Sequence, residues 1–128
     1  MAKREVILGV TGSIAAYRAC DIVNGLRKAG FNVTVIMTKE AKEFISPLTF
    51  QTLSRNKVYF EMFETPSEWN PVHTSLADKA GLILIAPACA NIIGKLANGI
   101  CDDLLTCVVM ASSAKVLIAP AMNENMWT

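Results

Sequence analysis

The chain of 128 residues is 52% hydrophobic and 18% charged, with a net charge of +1 at pH 7. This composition excludes a disordered protein, and the mixed charges give no basic face of the kind that binds nucleic acid. Its longest apolar run, residues 82–90, is far shorter than the roughly 20 residues of a membrane helix, and no signal-peptide cleavage pattern follows the first run. We therefore expect one globular domain, without a membrane segment.

The four cysteines and the single histidine lack the spacing of a zinc site, so no metal is predicted. Most of the thiols are expected to be buried and inert, as is typical of a protein from the reducing cytoplasm. A cytoplasmic location is predicted on this basis.

Four short β-branched or apolar runs predict strands, and the stretches between them predict helices. The strands are expected at residues 5–11, 32–38, 82–87 and 115–120. Helices or helical pieces are expected at residues 13–30, 39–45, 47–54, 75–80, 90–99 and 102–112. The stretch of residues 64–73 carries two prolines and is interpreted as a loop.

Near-continuous apolar strands that alternate with helices indicate an α/β protein with a parallel sheet buried on both faces. Right-handed crossovers make such a sheet doubly wound, with three layers in the order α/β/α. Ligands bind at the carboxyl ends of the strands in this architecture. The stretches that follow the four strands, residues 12–13, 38–39, 87–91 and 120–123, are therefore the candidate site.

The turn after the first strand carries Gly12 and Ser13 before a helix start, an arrangement that favours an anion such as phosphate. An ordinary strand-to-helix turn has the same pattern. The turn does not match G-x-G-x-x-G, and the second strand ends at Thr38 instead of at an acidic residue that could bind the ribose of NAD. A mononucleotide such as FMN is favoured over NAD.

After the third strand, two small residues and Asn91 could lie against a flat ring and hydrogen-bond its edge. Asn91 could equally cap the following helix. Cys89 is expected to pack against a ligand, since no histidine is near it in sequence to activate a nucleophile. His73 is the only histidine, and a lone histidine is more often structural or merely exposed. Its place in a predicted loop strengthens the case for a role in proton transfer.

Four motifs together resemble the homo-oligomeric flavin-containing cysteine decarboxylases, and in particular the phosphopantothenoylcysteine decarboxylases of coenzyme A biosynthesis. They are GSIAAY, PVHTSLA, PACANIIGKLANGICDDLLT and PAMNENMW. The resemblance covers essentially the whole chain and implies a flavodoxin-like (Rossmann-like) fold with non-covalently bound FMN. It further implies a homotrimer, in some members a dodecamer, with a neighbouring subunit close to each flavin.

The resemblance also implies roles for individual residues. His73 would be the catalytic base, and Asn123 would hold the substrate carboxylate as a second catalytic residue, with Met126 also at the substrate. The residues implied to contact FMN are Gly12, Ser13, Ile14, Thr38, Cys89, Ala90, Asn91, Ile92 and Ala121. The implied reaction oxidises the cysteine end of phosphopantothenoylcysteine to a thioaldehyde, releases CO2 and returns the hydride to give phosphopantetheine.

The sequence departs from the family pattern at two places. Cys89 and Ile92 stand where the family usually has hydroxyl residues, so fewer hydrogen bonds to the flavin are expected. The family continues beyond its PAMN motif with a helix, a strand and a flap whose cysteine donates a proton, whereas this sequence stops at Thr128. We interpret residues 1–128 as one flavoprotein domain without those elements, to which a phosphopantothenate–cysteine ligase domain could be fused.

Three alternatives remain at this point. The chain could decarboxylate the C-terminal cysteine of a peptide, as the lantibiotic enzymes do. It could bind flavin in a regulatory role without catalysis, which the missing flap cysteine favours and His73 and Asn123 oppose. An NAD-dependent oxidoreductase is disfavoured because the dinucleotide pattern is missing.

Overall fold

The structure is a computed structural model that describes residues 4–60 and 72–121, with residues 72–74 described by their backbone alone. Within these residues there are four strands: β1 (Glu5–Val10), β2 (Asn32–Met37), β3 (Leu82–Ala88) and β4 (Lys115–Pro120). The α-helices of the described ranges are α1 (Ala19–Lys28), α2 (Pro47–Ser54), α3 (Val72–Lys79), α4 (Ala90–Ala97) and α5 (Leu104–Ala111). The 3₁₀ helices Ile14–Arg18 and Glu40–Glu43 replace parts of the predicted helices.

The strands form one fully parallel sheet in the order β2-β1-β3-β4. β1 lies in the centre, pairing with β2 from Glu5↔Asn32 to Val10↔Met37 and with β3 from Val6↔Leu82 to Gly9↔Ile85. The pairing of β3 with β4 contains an irregularity between Ile85 and Ala88. Parallel strands joined through helices confirm the predicted flavodoxin-like α/β fold.

Alternate side chains of the strands enter two separate hydrophobic clusters, one on each face of the sheet. One cluster joins strand residues such as Ile7 and Ile83 to Leu76 of α3, Ile92 of α4 and Leu105 of α5. The other includes Leu8, Val35, Ala19, Val23 and Phe50, the last three from α1 and α2. Helices on both faces give the three layers that the sequence predicts.

The expectation that every strand is buried on both faces is wrong for β4. All six of its residues are exposed, including Val116, Leu117 and Ile118 at 36%, 55% and 41%. β4 is the edge of the sheet formed by the described residues, so an apolar run alone does not establish what covers a strand.

The prediction that most of the cysteines are buried, reduced thiols needs correction. Cys101 is exposed and forms a disulfide with the buried Cys107, which joins the segment before α5 to the body of that helix. Cys20 and Cys89 are free and half-buried. Across residues 4–60 and 72–121, no helix has both the length and the apolar character needed to cross a bilayer.

Candidate functional site

The carboxyl ends of all four strands are joined by hydrogen bonds into one edge. The Thr38 N–H donates to the Val10 carbonyl at 3.0 Å, which links β2 to β1. The Thr11 N–H donates to the Pro87 carbonyl at 3.3 Å, and the Ala121 N–H donates to the Ala88 carbonyl at 2.9 Å. The described parts of the four stretches selected from the sequence, residues 12–13, 38–39, 87–91 and 120–121, therefore lie along this edge.

The turn after β1 is shaped by a serine cap and by close packing. Ser13 has extended backbone angles (φ −157°, ψ 150°), and its Oγ accepts a hydrogen bond from the Ala15 N–H at 3.1 Å. This bond begins the 3₁₀ helix Ile14–Arg18. Ile14 itself is 80% exposed, so the turn presents an apolar side chain and a hydroxyl at the edge.

Gly12 is required for a reason that the sequence does not show. Its φ is not positive; the described glycines with positive φ are Gly30 and Gly99. A Cβ built on Gly12 would instead lie 2.6 Å from the Cβ of Glu40. The glycine thus allows the turn to pack against the segment that follows β2.

Thr38, at the end of β2, is buried at 6% exposure. Its Oγ1 accepts a hydrogen bond from the Ala41 N–H at 3.3 Å, at the start of the 3₁₀ helix Glu40–Glu43. A hydroxyl that accepts one bond still carries its own proton for a second. Thr38 therefore has a structural role, and its position beside β1 also suits contact with a ligand.

The segment after β3 forms the N-terminus of α4. Cys89 is the N-cap residue, with extended backbone angles and no hydrogen bond from its side chain to the helix. The first N–H groups of a helix have no partner within the helix, so those at the start of α4 face the edge without a side-chain cap. Such a terminus is suited to an anionic group or a carbonyl oxygen.

The position of the helix start decides between the two interpretations of Asn91. Because Cys89 is the N-cap, Asn91 is the second residue of α4, and its side chain is exposed. The helix-cap alternative is therefore wrong. Ile92 is only 2% exposed and packs in the core with Leu104 and Leu105, so only its backbone could contribute to the site.

The prediction that His73 lies in a loop is wrong, because α3 begins at Val72 and places His73 in its first turn. The C-terminal end of α3 leads to Gly81, whose N–H donates to the Glu5 carbonyl at 2.8 Å, at the amino end of β1. The His73 side chain, and Asn123 and Met126, lie outside the described residues.

Charged groups flank the edge on the side of α4. The Lys95 Nζ lies 3.0 Å from an Asp102 carboxylate oxygen, and this hydrogen bond raises the pKa of Lys95. The carboxylates of Asp103 and Glu40 also raise the pKa of Lys95.

On α1, burial and the neighbouring Asp21 raise the pKa of the Cys20 thiol, which fits the predicted inert thiol at that position.

The sequence predicts Thr11 only as the last residue of a strand and does not reveal its role at the edge. Thr11 is fully buried and hydrogen-bonds to both Pro87 and Cys89. The available signal was a hydroxyl residue at a strand end that faces a proline on the next strand of the sheet. Recognising it requires the β1–β3 register, which the sequence does not state.

The whole chain, residues 1–128, matches the family model described as Flavoprotein. It is 53% identical over 97% of its length to the coenzyme A biosynthesis bifunctional protein CoaBC of Bacillus subtilis, and spans 30% of that protein's length. It is 44% identical over 97% of its length to a probable phosphopantothenoylcysteine decarboxylase of Streptococcus mutans, and covers 70% of that protein.

Among solved structures, the FMN-dependent cysteine decarboxylase SpaF superposes with a TM-score of 0.92. It shares 29% sequence identity, and the match covers 99% of this chain and 73% of SpaF. The family match over all residues and the shared fold agree with the motifs, and the chain belongs to the Flavoprotein family.

Proposed function

We propose that the chain provides the FMN-binding part of an enzyme that decarboxylates phosphopantothenoylcysteine to phosphopantetheine in coenzyme A biosynthesis. The observation that carries this proposal is the joined edge of four strand ends beside the uncapped N-terminus of α4. The names of the Bacillus subtilis and Streptococcus mutans relatives support the substrate.

The residues at the edge fit FMN in size and in hydrogen-bonding groups. Ala90 and Ala121 have small side chains, which favour a flat ring against the backbone, whereas the space beside Gly12 is filled by Glu40. The Ser13 hydroxyl and the first N–H groups of α4 can donate to phosphate or ring oxygens. Bound FMN would supply reversible two-electron oxidation of the cysteine end of the substrate.

The chain's own residues would bind and orient the substrate and take up its proton. His73 is proposed as the base because imidazole can take up a proton near neutral pH. Asn123 is proposed to hold the carboxylate in the orientation for cleavage, with Met126 beside it. Cys89 replaces a hydroxyl residue of the family pattern, and its backbone rather than its side chain makes the hydrogen bond that fixes this segment.

The test is release of CO2 from carboxyl-labelled phosphopantothenoylcysteine by the FMN-loaded protein and by its His73→Asn variant. Asparagine is polar and of similar size but does not titrate, so the variant is expected to retain the flavin and lose CO2 release. Undiminished turnover by His73→Asn would remove His73 from its proposed role. No turnover by the wild type would refute the proposed substrate.

A second candidate is a decarboxylase of peptides that end in cysteine. The structural likeness to the cysteine decarboxylase SpaF fits either substrate, whereas the identity of 53% and 44% to the two coenzyme A relatives favours the first. A competition assay that offers phosphopantothenoylcysteine and a cysteine-ended peptide at equal concentration separates the two. Preference for the peptide would reverse the proposal.

We further propose that the protein acts as a homotrimer in the cytoplasm, within a longer chain that can include a ligase domain. Light scattering of the purified protein tests whether it is a trimer.

The Cys101–Cys107 disulfide argues against a reducing compartment, and therefore against the proposed location in the cytoplasm. Denaturation of intact cells directly in alkylating reagent, without reductant, tests the compartment. Alkylated Cys101 and Cys107 would support the cytoplasm, and protection of both would contradict it.

A further inference from the structure

Thr11 connects the two segments that the proposed function assigns to FMN. It immediately precedes Gly12 and Ser13, and its Oγ1 accepts a hydrogen bond from the Cys89 N–H at 2.9 Å. The same hydroxyl donates to the carbonyl of Pro87. We propose that Thr11 is a positioning residue that fixes the distance between the glycine turn and the N-terminus of α4, so that both can contact one FMN; this inference rests on the proposed function.

The Thr11 hydroxyl adds hydrogen bonds between the two segments beyond the point where the regular strand pairing ends. The regular pairing of β1 with β3 ends at Gly9↔Ile85. Pro87 has no N–H and can only accept hydrogen bonds. Its carbonyl takes bonds from both the N–H and the hydroxyl of Thr11, and the Cys89 N–H, two residues further on, donates to the Thr11 Oγ1.

The Thr11 hydroxyl is occupied on both sides, as donor to Pro87 and as acceptor from Cys89. The residue is also 0% exposed, so it does not reach a ligand directly. Thr11 therefore acts through Cys89, the N-cap residue of α4, whose own side chain makes no cap hydrogen bond. Loss of the hydroxyl would leave the N–H of this N-cap without its partner and release the helix start from the turn.

The discriminating substitution is Thr11→Val, which keeps the branched shape and removes both side-chain hydrogen bonds. Thr11→Ser restores the hydroxyl with one methyl group fewer. Thr34→Val is the matched control, since Thr34 is a buried threonine of the adjacent strand β2 at 6% exposure, paired with Ile7 and away from the edge. The three variants separate the loss of this hydroxyl from the general effect of exchanging a buried threonine.

Two measurements are made on the full chain: amide hydrogen exchange at Cys89 without ligand, and the FMN dissociation constant by fluorescence titration. Thr11→Val is expected to accelerate exchange at Cys89 and to weaken FMN binding about tenfold, the scale of one lost buried hydrogen bond. Thr11→Ser is expected to restore both values, and Thr34→Val to change neither. Wild-type exchange and wild-type affinity in Thr11→Val would overturn the inference.

Two further outcomes are decisive. If the wild type does not bind FMN, the proposed function fails, and exchange at Cys89 alone decides whether Thr11 couples the two segments. If Thr11→Val does not fold, the wild type supplies the test. Its Cys89 N–H must exchange more slowly than the N–H of Ala90, the first residue of α4, and equal rates would overturn the inference.

Discussion

Glu40 packs directly against Gly12, at a distance that leaves no room for a side chain at position 12. A Cβ at Gly12 would lie 2.6 Å from the Cβ of Glu40 and 3.3 Å from its backbone carbon. The contact holds the turn after β1 against the segment after β2, beside the Thr38–Val10 hydrogen bond. Part of the candidate site is thus shaped by packing between the segments that line it, before any ligand binds.

Gly12→Ala is expected to lower the free energy of unfolding by about 1–3 kcal/mol, because the new methyl group must displace Glu40 and the backbone behind it. The same displacement is expected to weaken FMN binding. Chemical denaturation and FMN titration of the variant measure the two effects.

Gly25→Ala is the matched control. Gly25 lies inside α1, and a Cβ there would meet nothing within 4 Å. Alanine is favoured over glycine in a helix interior, so this variant is expected to gain about 0.5–1 kcal/mol of stability. Equal effects of the two substitutions would contradict the packing role of Gly12.

Asp103 caps α5, and its loss is expected to destabilise the fold. Its Oδ1 accepts from the Thr106 N–H at 2.8 Å, and Thr106 Oγ1 accepts from the Asp103 N–H at 3.2 Å, which completes a capping box. Asp103→Ala is expected to cost about 1 kcal/mol of unfolding free energy, measured by denaturation.

Asparagine caps helices about as well as aspartate, so Asp103→Asn should stay close to the wild type. α5 packs on α3, the helix that carries His73 in its first turn. A loss in Asp103→Asn as large as that in Asp103→Ala would show that the negative charge, and not the cap, supplies the stabilisation.

The Lys95–Asp102 pair gives a prediction for alkaline pH. The hydrogen bond to Asp102 raises the pKa of Lys95 above its ordinary value of 10.5. A lysine whose pKa is raised by folding stabilises the protein fully below its unfolded pKa, and this contribution is lost as the pH rises through the folded pKa. Unfolding measured near neutral pH and above about pH 10 is therefore expected to show a stability decrease at the alkaline end.

Asp102→Asn is expected to shift the Lys95 pKa back toward its ordinary value and to reduce that alkaline loss. An NMR titration of the Lys95 Cε resonance measures the shift. Asp102 is 54% exposed, so added salt should weaken the pair in the wild type. A Lys95 pKa that is identical in wild type and variant would contradict the role of this pair.

The apolar runs and the right-handed crossover rule predict the fold closely. β4 occurs at Lys115–Pro120 as expected, and β2 differs from its predicted range only at the last residue. The sequence could not show that β4 is an exposed edge, because an apolar run is the same whatever covers it. The sequence does not predict that α3 begins at Val72, because two prolines within residues 64–73 favour a loop.

The sequence predicts which residues follow each strand and therefore which residues can line the site. It does not predict which of these residues contact one another across two strands. Three contacts join segments whose proximity depends on strand register or on a turn that folds back. They are the Thr11–Cys89 hydrogen bond, the Gly12–Glu40 contact and the Cys101–Cys107 disulfide. The different burial of Asn91 and Ile92 likewise depends on the residue at which α4 begins.

Retention of FMN tests the central claim most directly. The purified chain is incubated with FMN or, in parallel, with NAD, and passed through gel filtration to remove unbound cofactor. The account predicts a yellow protein that carries the visible absorption of oxidised flavin in an amount equimolar with the chain, and no retained NAD. A colourless protein after incubation with FMN would contradict it.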